Sequence, residues 1–116
     1  MEQKTFRDLF EESIHNKFPN QFDTETLTTF GNYKNKNLDH LLTGYRYGHY
    51  NYNVLGKLDQ EQIDHAFERK ITFEYQVNPM LRLDGLTVEK DSKGQYISEV
   101  TKYIELGFNL YFETRT

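Results

Sequence analysis

At Ile71 the apolar pattern of this chain changes period, and that change constrains the fold more than any other feature. Before it, apolar residues recur at helical spacing. Phe6, Leu9, Phe10, Ile14 and Phe18 fall on one face of a segment whose other face carries Arg7, Asp8, Glu11, Glu12 and Lys17. After it, Ile71, Phe73, Tyr75 and Val77 alternate with Thr72, Glu74 and Gln76, as a strand with one wet face requires. The same alternation returns at Ile104, Leu106, Phe108, Leu110 and Phe112. The pattern therefore predicts an α+β fold, with amino-terminal helices packed on one face of a carboxy-terminal antiparallel β-meander.

Local signals set the expected boundaries. The first helix is expected over 5–18, capped by Thr5 and ended by Pro19, and a short helical piece over 23–30. Leu38, Leu41 and Leu42 place a helix over 37–43. Gly44 and Gly48 argue against its continuation, because each costs about 1 kcal/mol in a helix interior relative to alanine. A third helix is expected over 59–70, where Asp59 and Gln62 form a capping box and Leu58 can staple to Ile63. The meander is expected as strands 71–77, 80–83, 86–90, 95–101 and 103–113. Asn78-Pro79 stops the first, Asp84-Gly85 forms a two-residue hairpin turn, and DSKG at 91–94 forms a second turn. Within 95–106, Ile97, Val100 and Ile104 also match a helical face; the β-branched and tyrosine content favours strand.

At 116 residues the chain is expected to form a single α+β domain, 1–116, long enough to bury one core. Cysteine is absent, which removes disulfides, thiolate zinc sites and cysteine nucleophiles and fits a reducing compartment. The first residues carry charges throughout, with neither a leader-like apolar run nor a membrane span, so a soluble cytoplasmic protein is expected. The net charge is −4, all of it from residues 58–116, where eleven acidic side chains face seven basic ones. Residues 31–57 are locally basic, with Lys34, Lys36, Arg46 and Lys57 against Asp39.

Within that basic stretch lies GYRYGHYNYN, 44–53, which holds four of the nine tyrosines. The candidate binding residues are Tyr45, Arg46, Tyr47, His49, Tyr50 and Tyr52. Tyrosine and arginine supply rigid contact area and hot-spot chemistry at protein interfaces, and tyrosines can also stack nucleobases. On a plain strand Tyr45 and Tyr47 would point away from Tyr50 and Tyr52, so a single platform would need a bulge near Gly48. Lys34 and Lys36, and Asp59, Glu61 and Asp64 on the acidic helix, form a secondary set of binding candidates.

Catalytic motifs are missing. His15, His40, His49 and His65 show no zinc-ligand spacing, and there is no P-loop, nucleophile elbow or dinucleotide fingerprint. No catalytic residue, metal ligand or cofactor is assigned. In size and composition the chain looks like the small accessory proteins of phages and mobile elements, including inhibitors of host defence systems, a resemblance of type that names no family. The expected function is a non-enzymatic protein-protein interaction module that binds and inhibits a host protein. The alternatives are a single-stranded nucleic-acid binder using 33–52 and a small metal-dependent hydrolase using the histidines. A homodimer through pairing of strand 103–113 is a further expectation.

Overall fold

The computed structural model describes residues 3–115 and shows five helices: α1 Phe6–Lys17, α2 Lys36–Leu55, α3 Gln60–Val77, α4 Pro79–Asp84 and α5 Glu99–Glu113. No sheet forms among the described residues; two isolated antiparallel bridges, Leu27 with Tyr33 and Lys90 with Tyr96, are its entire β content. The expected α+β architecture is thereby overturned.

Alternation misled at 71–77, where only Ile71 fits the buried helical face, and at 103–113, where the window also satisfies a helical face. In α3 the buried positions are Ile63, Ala66, Phe67 and Ile71, so Ile71 simply extends the helical series, while Phe73, Tyr75 and Val77 are left in solvent. In α5 the buried set is Thr101, Ile104, Gly107, Phe108, Leu110, Tyr111 and Phe112, a stripe covering more than half of the helix circumference. The segment predicted as strand 80–83 is helix α4, and 86–90 runs without regular structure. Residues 95–101 divide between a loop and the first turn of α5. Residues 23–30 are not helical either.

The predicted helix 37–43 is only the start of α2, which continues for twenty residues through both glycines. The reason lies in α5. A methyl group on Gly44 would overlap the Ile104 carbonyl oxygen, and one on Gly107 would overlap the Leu41 carbonyl oxygen. On Gly48 it would lie 2.7 Å from Tyr111 Cβ and 2.9 Å from the Phe108 carbonyl oxygen. The three glycines therefore form a seam in which the two backbones touch, and this contact offsets their poor helix propensity. α2 and α5 form by far the most extensive helix pair. Gly44 against Ile104, Gly48 against Tyr111 and Tyr52 against Phe112 advance in the same sense, so the two helices run parallel.

A parallel pair needs a crossover, and α3 supplies it by running back antiparallel to both: Gln60 bonds Asn109 near the end of α5, and Tyr47 of α2 bonds Glu74 near the end of α3. The core has two lobes. One gathers Ile63, Phe67, Ile71, Leu81, Leu86, Tyr96, Ile104 and Phe108 between α3 and α5; the other gathers Phe10, Ile14, Tyr33, Leu38, Leu41, Tyr45 and Tyr111 under α1.

Helix ends follow the local signals closely. Thr5 and Asp8 form a reciprocal capping box, as do Asp59 and Gln62. Asn78 ends α3 and caps α4, with Pro79 at the first helical position. Gly85, predicted in a hairpin turn, instead takes the left-handed conformation (φ 115°) that closes α4, with Leu86 N–H donating to the Leu81 carbonyl at 2.9 Å. Ser98 caps α5 and its hydroxyl donates to the Gly85 carbonyl at 2.6 Å.

Candidate functional site

Helix α2 distributes the tyrosine segment around its circumference rather than along one face. Tyr45 is buried among Phe6, Phe10 and Tyr111, with centroid separations of 5.0 to 5.3 Å. Tyr52 packs half-buried on Tyr111 and Phe112. The His49 ring lies 5.0 Å from that of Phe6, and its Nδ1 is 2.7 Å from the Tyr111 hydroxyl. Tyr47 faces α3, where its hydroxyl donates to Glu74 Oε1 at 2.6 Å and Lys70 Nζ sits 4.6 Å above its ring. Burial and then the adjacent Glu74 carboxylate push its pKa well above the usual tyrosine range, so it remains a donor. Of the six candidate residues only Arg46 and Tyr50 are exposed, four apart on one face with Val54 beyond. The structure thus disperses the six; a bulge at Gly48 does not arise, since that glycine lies inside the α2–α5 seam.

The secondary candidates separate likewise. Lys34 and Lys36 are exposed at the start of α2, Asp59 is occupied as a cap, and Glu61 lies in solvent beside His65 at 4.0 Å. Among the described residues no group of three His, Asp or Glu side chains is placed to hold a metal ion. His15 contacts Thr24, and His40 is buried in α2. The proposed dimer through strand 103–113 has no strand to use, since α5 sits in the core. No described helix is long and apolar enough to cross a membrane.

Two other surfaces stand out. The first is an open groove of about 430 Å³ on the outer side of α3, lined by His65, Glu68, Arg69, Thr72, Phe73 and Gln76. Phe73 and Val77 share this helix face, and Met80 and Leu83 follow on α4 at 68% and 81% exposure. Lys70 Nζ lies 5.6 Å from the Phe73 ring as well as over Tyr47, so Phe73 lies near the α2–α3 contact; Tyr50, further along α2, is 67% exposed.

The second is a narrower cleft of about 230 Å³ where Asp64, His65 and Glu68 of α3 meet Glu105 of α5 and the 90–96 turn. That turn is built by Asp91, whose Oδ1 accepts from Lys93 N–H at 2.8 Å and Gln95 N–H at 3.0 Å, and by Gly94 at φ 80°. The turn at 91–94 matches the sequence signal, although no hairpin strands flank it. It brings Tyr96 onto Phe67 at 5.6 Å and Lys90 Nζ to 4.9 Å above the Tyr96 ring and 3.4 Å from Glu68 Oε2. Burial, then the Asp64 charge, pushes the Glu105 carboxyl up, with Lys90 opposing. Burial, then the Glu105, Glu68 and Asp64 charges, pushes the Tyr96 hydroxyl up to about 12.

Of these cleft residues sequence reasoning singled out Asp64 as a binding candidate and His65 as one of the four histidines of the hydrolase alternative. Glu105 was placed on a strand, although the helical reading of Ile97, Val100 and Ile104 carried the signal that would have turned it toward α3.

Comparison of the chain with protein-family profiles, with curated proteins and with solved structures gave no match.

Proposed function

We propose that this chain is a non-enzymatic protein-binding module that docks a partner on the outer side of α3, flanked by Tyr50 of α2 and by α4. The observation that carries this reading is the exposure of Phe73, Val77, Met80 and Leu83 in one short stretch, with a tyrosine and an arginine of α2 also exposed. Clustered large apolar side chains in solvent mark interaction surfaces, and tyrosine and arginine are the residue types that anchor them. The groove along α3 is the surface of a single helix, a shape that suits a partner's flat or helical face better than a small substrate. The tyrosine version of the interaction narrows to Arg46 and Tyr50, since Tyr45, Tyr47 and Tyr52 are committed to contacts within the fold. A nucleic-acid platform, which needs several free ring faces, finds less support in this arrangement. The lack of cysteine accords with a reducing compartment, and we place the encounter in the cytoplasm.

The test is affinity capture from the source cell with the intact chain, followed by mass spectrometry and reconstitution with the purified partner. A stoichiometric complex is expected, weakened at least tenfold by Phe73→Asp or Tyr50→Ala and unchanged by Lys34→Ala. A complex indifferent to Phe73→Asp and Tyr50→Ala would overturn the surface assignment.

A further inference from the structure

We propose that the cleft between α3, α5 and the 90–96 turn is a receptor for an arginine side chain of a protein partner, held by Glu105, Asp64 and the Tyr96 hydroxyl. The inference rests on the protein-binding reading and specifies one contact within it: His65 and Glu68 line both this cleft and the α3 groove, so a segment lying in the groove reaches the cleft directly.

Two unmet hydrogen-bonding groups point to a ligand. Tyr96 is 5% exposed, yet among the described residues its hydroxyl has no hydrogen-bond partner. It lines the cleft together with Glu105, Glu68 and Asp64, and burial, then their charges, raises its pKa. Glu105 is half-buried, and its carboxylate accepts no hydrogen bond and joins no ion pair among the described residues. Neither is among the buried atoms left without a partner, so both reach water in the cleft, and a donor-rich occupant can take the place of that water.

The sign of that occupant follows from the charges. Three carboxylates, of Asp64, Glu68 and Glu105, face the single ammonium of Lys90. Lys90 already shows that a cation can rest on the Tyr96 ring, at 4.9 Å, while pairing with Glu68. That pair is solvent-exposed and therefore weak, so an incoming cation can displace it.

Guanidinium suits the cleft better than a second ammonium. Its five donors lie in one plane, so it can fork to Glu105 while reaching the Tyr96 hydroxyl and the free oxygen of Asp64, whose other oxygen accepts from Gln60 Nε2 at 2.9 Å.

The test uses the intact chain and two capped tripeptides, acetyl-Gly-Arg-Gly-amide and acetyl-Gly-Lys-Gly-amide, titrated while backbone amide resonances are followed. Saturable shifts confined to residues 64–68, 90–96 and 105 are expected with the arginine peptide, with affinity about tenfold above that of the lysine peptide. Glu105→Gln should weaken the arginine peptide about tenfold while the circular dichroism spectrum stays unchanged. Lys90→Ala, at an exposed position, should strengthen it by removing the competing ammonium. No saturable response, equal response to both peptides, or weaker binding by Lys90→Ala would each overturn the arginine site. Because the peptides test the cleft without any partner, a negative result here alongside a partner complex still broken by Phe73→Asp would sink this inference alone. Peptide binding with no complex from the cell would instead sink the docking reading.

Discussion

Gly44 of α2 and Ile104 of α5, sixty positions apart, approach so closely that the glycine Cα lies against the isoleucine carbonyl with no room for a methyl group. Gly107 makes the reciprocal approach to Leu41, so each helix inserts a glycine into the other's backbone. In an exposed helix Gly→Ala gains about 1 kcal/mol. Here the sign should invert: Gly44→Ala and Gly107→Ala are each expected to cost about 3 kcal/mol or more, since rigid backbone on both sides must separate. Gly48→Ala meets a side-chain carbon and one carbonyl at 2.7 and 2.9 Å and should cost less. Urea denaturation of the three variants gives the order; an increase in stability for Gly44→Ala would refute the seam.

The α2–α3 contact turns on Tyr47. Its hydroxyl is the short donor to Glu74, a carboxylate only 12% exposed that otherwise keeps Lys70 at 3.7 Å and Asn78 Nδ2 at 3.4 Å. Tyr47→Phe should lower stability by about 2 kcal/mol, the usual cost of leaving a buried charged acceptor short of one donor. Tyr50→Phe, on the solvent side of the same helix, should change stability by less than about 0.5 kcal/mol. Equal effects of the two substitutions would mean that the Tyr47 bond contributes nothing.

What the sequence made legible divides by range. Thr5, Asp59, Pro19, Asn78-Pro79 and the 91–94 turn act through their own or adjacent backbone groups, so their residue types alone identified them. Gly44, Gly48 and Gly107 act on a partner far along the chain, and taken singly they read as helix breakers or strand residues. The alternations at 71–77 and 104–112 were genuine in composition, but helical packing against α2 and α5 overrode the strand preference of those side chains. The candidate site suffered the same way. Arg46 and Tyr50 kept the exposure that the tyrosine segment suggested, whereas Tyr45 was claimed by the core. Glu105 became visible only once α5 was a helix facing Asp64.

Glu105 also offers a thermodynamic signature. Its folded-state pKa is raised above the unfolded value of 4.5 by burial and by Asp64. The native state therefore binds more protons between the two values, and the stabilising contribution is fully present below 4.5 and lost as pH rises through the folded value. At neutral pH the ionised carboxylate is a net cost. Glu105→Gln is expected to raise the thermal midpoint at pH 7 and to leave it nearly unchanged near pH 4, as measured by calorimetry. A lower midpoint at pH 7 would show that an internal partner satisfies Glu105.

His40 should produce the opposite slope. It is buried in α2, and burial pushes its pKa below the ordinary 6.5; Lys36 adds to this, while Asp84 and Asp39 oppose it. The unfolded chain then binds the extra proton, so stability from neutral His40 is fully present above about 6.5 and declines as pH falls toward the folded value. Below that value both states are protonated and the loss is complete. His40→Gln, which cannot titrate, should flatten the fall in thermal midpoint between about pH 7 and pH 5 relative to the parent chain, after allowance for the opposite trend from Glu105. His65→Gln, exposed beside Glu61, serves as the control and should leave that slope in place. A parent slope that survives His40→Gln intact would place the acid sensitivity elsewhere in the fold.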